Sequence, residues 1–185
     1  VPGHQTFVQT ETTTLKMPTI ATIGVYDFDG ASFVSALDDV GVTQVIDIRQ
    51  RRGVRGSQYA WANSERLQRR LAEAGIAYTY HPELAPDTEL RHVQYREDDR
   101  RRVGKRSRQE LAPEYVRQYT EEILDLVPLE PLLRRLPVHG MAALLCVEAT
   151  AAACHRSLVA HRLAERHGFE VINIEPDHPT EIDFR

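Results

Sequence analysis

Residues 142–174 read AALLCVEATAAACHRSLVAHRLAERHGFEVINI. The opening AALLCV is a near-continuous apolar run, the pattern of a strand covered on both faces. A loop of small residues follows. An amphipathic stretch from about Cys154 to His167 then reads as a helix, and VINI (171–174) as a further strand. Strands alternating with helices argue for an α/β architecture with a mainly parallel sheet.

The same alternation extends upstream. Thr19–Val25 (TIATIGV) reads as the first strand, and Ala31–Val40 as a helix stopped by Gly41. Thr43–Ile48 (TQVIDI) is the second strand. Asn63 or Ser64 caps a helix to Ala74, closed by Gly75, and Ile76–His81 is the third strand. Pro113 opens a helix to about Val127, and a short helix lies around Pro131–Leu136. Residues 84–111 are polar and Arg-rich and read as irregular, a solvated stretch long enough to act as a lid. Residues 1–18 are a Thr/Gln-rich extension with room for one extended edge segment. The expectation is one α/β domain over 19–185: a mainly parallel five-stranded sheet with helices on both faces.

Composition agrees with a folded domain. The chain has 185 residues, 42% hydrophobic and 27% charged, enough for one ordinary core without staples. Collagen-like, disordered and disulfide-scaffold classes are excluded. The longest apolar run, Met141–Val147, is far short of the roughly 20 residues a bilayer demands. No basic segment followed by an apolar one marks a secretory signal, and two cysteines suit a reducing compartment. The cytoplasm is the expected location, with no membrane partner.

Net charge is −4, from 23 Lys+Arg against 27 Asp+Glu, but its distribution is uneven. Residues 49–55 (RQRRGVR) carry +4, residues 91–108 carry +5, and the last sixteen residues carry −4. All but two of the cations are Arg, the side chain suited to bidentate capture of phosphate or carboxylate. Such concentration favours holding a local anion over coating a nucleic acid by bulk charge.

Ligand crevices in open parallel sheets lie at the carboxyl ends of the strands. The candidates there are Gly24 after the first strand, Asp47 and Arg49 after the second, His81 after the third, and Cys146 and Glu148 after the fourth. Cys154, His155, Arg156 and Ser157 follow at the start of a helix, where the dipole and nearby positive charge favour a thiolate and free backbone N–H groups favour an anion. Cys154, His155, Glu148 and Asp47 are therefore the catalytic candidates. Arg49, Arg55, Arg156, Ser157, Tyr59, Gly24 and His81 are the anion-binding ones. Cys146, inside the apolar run, reads as a core residue. Cys146, Glu148, Cys154 and His155 have the chemistry of zinc ligands, but the spacing is not that of a cysteine knuckle, and adjacent Cys-His rarely chelates one ion. No cofactor or metal is predicted.

TIGVYDFDGASF, VIDIR, YAWANSERLQRRLAEAGIAYTYHPELAP, KRSR and LLCVEATAAACHRSLVAHRLAER together resemble the bacterial DUF488 family across about residues 20–175. The resemblance implies an α/β fold and marks Asp47, Arg49, Cys146, Glu148, Cys154, His155 and Arg156; it brings no reaction with it. A weaker likeness is to rhodanese and cysteine-phosphatase domains. Cys146 and Arg156 lie ten residues apart, longer than that cradle, so a phosphatase mechanism is not expected.

Three functional expectations follow. The first is a thiol-dependent hydrolase or transferase that binds a phosphorylated or nucleotide-like anion. The second is a nucleic-acid-binding or repair-associated module using residues 91–108 and nearby aromatic rings. The third is a metal-binding or thiol-redox protein.

Overall fold

The structure, a computed structural model, describes residues 17–176. Five strands, β1 (Thr19–Ile23), β2 (Val42–Asp47), β3 (Ala77–Tyr80), β4 (Met141–Leu145) and β5 (Glu170–Ile174), form one sheet in the order β3-β2-β4-β1-β5. Every pairing is parallel. The expected α/β class is what the chain adopts. Most of the expected extension, residues 1–16, lies outside the described residues, as does the end of the acidic tail from 177 onward.

Alternation along the strands builds two cores. Ala21, Ile23, Val45, Ala143 and Leu145 pack with Phe33 and Leu37 of α1 (Gly30–Asp39) and with Leu67 and Leu71 of α2 (Ser64–Glu73). Their chain neighbours Ile20, Ile46, Ala142 and Leu144 face the other way. They meet Tyr115 and Tyr119 of α4 (Pro113–Tyr119), and Val159 and Leu163 of α6 (His155–His167). A period of two within each strand thus gives helices to both faces.

The strand order also locates a crevice. The chain leaves β2 toward the β3 edge and leaves β4 toward the β5 edge. β2 and β4 are neighbours, so their outgoing connections part and open a gap above their carboxyl ends, the switch point of an open α/β sheet.

One expectation is overturned. Residues 84–111 are not irregular: α3 spans Thr88–Arg101, within the stretch read as a solvated lid. Asp87 caps it, accepting from the Leu90 backbone N–H at 2.8 Å. Its buried face is Leu90, Gln94 and Asp98, residues four apart. Two of the three are polar, so no apolar stripe announces the helix. Leu90 and Val93 seat it on the second core, and hydrogen bonds do the rest. Gln94 donates to Asp98 (2.7 Å) and accepts from the Ala112 N–H (2.8 Å), while Arg108 donates to Asp98 (2.7 Å). The helix expected over 113–127 is also interrupted: α4 passes at Tyr119 into a wider turn over Thr120–Leu124, where the Asp125 N–H reaches back to the Thr120 carbonyl (2.9 Å). The short helix α5 covers Glu130–Leu133.

Candidate active site

The exits of β1, β2 and β4 are tied together by backbone bonds. The Cys146 N–H donates to Ile23 (3.1 Å), the Ile48 N–H to Leu145 (3.2 Å), and the Val25 and Tyr26 N–H groups both to Val147 (3.0 and 2.9 Å). β1 passes so close to the 147–149 segment that only glycine fits at position 24: a Cβ there would lie 1.9 Å from the Glu148 carbonyl oxygen.

Beyond β4 the chain makes a short turn and enters α6. Cys154 is the cap residue, in extended conformation (φ −140, ψ 142), and His155 is the first helical residue. That change of backbone lets two adjacent side chains converge. His155 Nδ1 lies 3.6 Å from the Cys146 sulfur and 3.9 Å from the Cys154 sulfur. Nε2 of the ring lies 3.1 Å from the Ile48 carbonyl, which can only accept, so Nε2 carries a proton and Nδ1 is the atom turned to the sulfurs. One carboxylate oxygen of Glu148 is 3.6 Å from the Cys146 sulfur, and the other accepts from Arg108 at 3.1 Å with Lys105 at 3.6 Å. Cys146, read from the sequence as core, is buried but belongs to this cluster.

The titration behaviour follows from these contacts. Burial alone would raise the Cys154 thiol, but the Cys146 hydrogen bond, the Arg156 charge and His155 outweigh it and hold Cys154 well below an ordinary thiol. Burial, together with the neighbouring Cys154 sulfur, pushes Cys146 well up. Burial would lower His155, yet Cys154, Glu148 and the Ile48 carbonyl raise it. Glu148 is raised by burial and by Cys154, against Lys105 and Arg108. The cluster therefore favours an anionic Cys154 beside a protonated His155, with Cys146 as the thiol that keeps its proton.

Cys146, Glu148, Cys154 and His155 form the floor of a cavity of about 500 Å³. Its walls include the 49–55 loop with Arg51 and Arg55, Arg91 from α3, Lys105, Arg108, and the rings of Tyr26, Tyr95 and Tyr115. The 49–55 segment and the CHR turn, far apart in sequence, thus meet at one rim. Tyr26, Arg91, Tyr95, Lys105, Arg108 and Tyr115 are not among the catalytic or anion-binding residues expected from the sequence. Arg91, Tyr95, Lys105 and Arg108 all fall in the +5 segment, so the charge excess was the signal. Its helical geometry, which brings Arg91 and Tyr95 to one face, was not visible.

Several expected site residues do other work. Asp47 is fully buried and not on the cavity wall. It accepts from the Arg49 backbone N–H (3.1 Å), from Arg49 Nε (2.9 Å) and Nη2 (2.7 Å), and from the Tyr78 hydroxyl (2.7 Å). Arg49 spends its remaining nitrogen on the Ala62 carbonyl at 3.0 Å, so its guanidinium is committed although the residue lines the wall. Arg156 is wholly buried. It donates to the Glu148 and Ala149 carbonyls and to the Thr22 hydroxyl, clamping the 148–149 segment onto β1 instead of reaching the cavity. The Ser157 hydroxyl donates to the Cys154 carbonyl (2.8 Å). His81 is buried against Glu83 (2.8 Å), and Tyr59 lines a second hollow beside α1 and β5, with the Arg106 guanidinium over its ring. Gly24, His81, Tyr59, Arg156 and Ser157 are thus placed off the cavity lining; Arg55 remains on it.

Tyr78 carries a prediction. Burial and the bond to Asp47 push its hydroxyl up to about 12. The folded value lies above that of an unfolded tyrosine, about 10. The stabilisation is therefore complete below pH 10 or so and lost as pH rises through about 12. Thermal midpoints of the parent should fall across that window, and those of Tyr78→Phe should fall less steeply. Parallel alkaline curves would show that the phenol does not titrate there.

No curated protein and no solved structure matches the chain. No helix among the described residues is long and apolar enough to cross a membrane. The family model for a domain of unknown function, DUF488, matches residues 30–163. That span covers most of the chain and takes in α1, all of the cavity floor and most of α6, and on it the chain belongs to the DUF488 family.

Proposed function

We propose that this chain is an enzyme that draws a small phosphorylated or nucleotide-like anion into the cavity above β2 and β4, with Cys154 as the reacting sulfur. One observation carries the reading. In a protein of net charge −4, the Lys, Arg, Asp and Glu side chains lining this cavity are all cationic except Glu148 on the floor, and they surround a buried pair of sulfurs. A concave, low-dielectric site lined by one sign of charge concentrates ligands of the other. Arg51, Arg55 and Arg91 suit phosphate oxygens, and Tyr26, Tyr95 and Tyr115 offer faces to a planar ring.

The roles follow from position. The Cys154 sulfur attacks the electrophilic centre and forms a bond to it. The leaving atom departs with its electron pair and takes the proton from His155 Nδ1. Water then attacks the sulfur-bound intermediate, giving one proton back to His155 as the thiolate leaves. Glu148, held by Arg108 and Lys105, orients that water. Free cysteines are compatible with a reducing compartment such as the cytoplasm.

Ligand protection tests the reading. Alkylation of Cys154 by iodoacetamide, followed on its peptide by mass spectrometry, should slow about tenfold with a nucleoside monophosphate or phosphate monoester at some ten times its Kd. Arg55→Gln with Arg91→Gln should abolish the protection. Labelling indifferent to every phosphate ester at low salt would remove the substrate class. The nucleic-acid reading has less to rest on: Arg100 and Arg101 pair with Glu97, Arg101 also with Glu110, and Arg108 with Asp98 and Glu148.

A further inference from the structure

We infer that Cys146, Cys154 and His155 together bind one thiophilic divalent ion of the zinc type, with Glu148 or a water in the fourth position. The inference rests on the floor of the cavity being its reactive part.

Geometry is the first argument. The two sulfurs and one ring nitrogen all lie within 4.8 Å of one another. A tetrahedral site with metal–sulfur bonds of about 2.3 Å and metal–nitrogen bonds of about 2.0–2.1 Å has sulfur–nitrogen edges of about 3.6 Å. The edges here are 3.6 and 3.9 Å. The Glu148 oxygen 3.6 Å from the Cys146 sulfur fits the corresponding sulfur–oxygen edge. The objection that neighbouring Cys and His seldom share an ion assumes a continuous helix. Cys154 is extended and His155 helical, so both side chains reach one point.

The surroundings are the second argument. Metal-bound histidines characteristically donate their other N–H to a carbonyl or carboxylate, which fixes the tautomer. Ile48 supplies that carbonyl at 3.1 Å, so Nδ1, which carries the acid proton in the metal-free protein, faces the sulfurs and binds the ion once that proton is released. The Glu148 carboxylate is itself held, at its other oxygen, by Arg108. Two thiolates and a carboxylate would place three negative charges in a buried site; a dication cancels two of them, and Lys105 and Arg108 lie 3.6 and 3.1 Å from the Glu148 carboxylate to balance the remainder. Two sulfurs and an imidazole select zinc, cobalt or ferrous iron over magnesium or calcium. All four donor residues line the cavity, so a ligand can reach the ion.

Cobalt(II) is the probe. The full chain is stripped with chelator under reductant and titrated anaerobically. The expected result is saturation at one equivalent, with thiolate-to-cobalt charge-transfer absorption and the intense visible bands of a tetrahedral site, all displaced by zinc. Cys146→Ser and Cys154→Ser should each roughly halve the charge-transfer intensity and weaken zinc binding, in competition with a chromophoric chelator, by about a hundredfold or more. Thermal unfolding checks that each variant folds. If one does not, reversible methylthiolation of the parent sulfurs replaces it and should abolish the cobalt spectrum. An octahedral spectrum without charge transfer, or zinc affinity equal in the parent and the Cys146→Ser/Cys154→Ser variant, overturns the inference. In that event phosphate protection of Cys154 in the stripped protein still stands or falls separately. A normal cobalt spectrum with no effect of any phosphate ester would retain the ion and discard the substrate.

Discussion

Replacing Asp47 by alanine should destabilise the protein by about 3–5 kcal/mol, the loss that accompanies orphaning one member of a buried ion pair. The total stability of such a domain is about 5–15 kcal/mol, so a sizeable share disappears. The reason is the partner left behind. Arg49 is 1% exposed, and three of its nitrogens, counting the backbone N–H, point at Asp47. Without the carboxylate its charge has only the Ala62 carbonyl. Urea unfolding monitored by circular dichroism measures the loss. The double variant Asp47→Leu/Arg49→Met removes both charges and should recover most of it, because what costs is the unpaired charge. A loss under about 1 kcal/mol in the single variant, within the range of surface substitutions, would mean the pair does not hold the β2 exit together.

Gly24→Ala should be comparably severe. The new methyl would overlap the Glu148 carbonyl, with the next atom, the carbonyl carbon, at 2.7 Å. Both belong to backbone, and backbone cannot swing aside as a side-chain tip can. The neighbouring bonds from Val25 and Tyr26 to Val147, and the Arg156 clamp, fix the same segment. Overpacking commonly costs about 1–3 kcal/mol, and a clash between main chains belongs at the top of that range or above it. Relief requires moving residues 147–149, which carries Glu148 away from the Cys146 sulfur. Urea unfolding reads the stability, and the alkylation rate of Cys154 reads the displacement. An alanine variant with parental stability and parental alkylation would contradict the close approach.

Much of the fold could be read from the chain because its strands are so apolar. AALLCV, TIATIGV and TQVIDI leave little choice but burial on two faces, and the helices between them carry spaced apolar residues and closing glycines. α3 could not be read because its buried face holds Gln94 and Asp98, satisfied by groups that lie elsewhere in the sequence: Ala112 and Arg108. Periodicity reports greasy faces and is blind to polar ones. At the site, proximity in sequence brought Cys154 and His155 together correctly. Proximity misled for Arg156, whose guanidinium turns to the carbonyls of the loop before it. The same adjacency concealed Cys146, since an apolar run gives no hint that its last sulfur faces an imidazole.

The polar docking of α3 bears on how the sulfurs can be reached at all. Held by amide and guanidinium contacts together with Leu90 and Val93, the helix exposes less oily surface on lifting than a wholly apolar face would, so its detachment is coupled less strongly to urea concentration and to heat capacity. Such an excursion leaves the sheet intact, and water can substitute for each bond it breaks. Arg91 and Tyr95 would ride outward with it, parting the wall of the cavity. Entry to the hollow would then not require global unfolding: the wall could part while the open sheet beneath the floor keeps its ladder of hydrogen bonds.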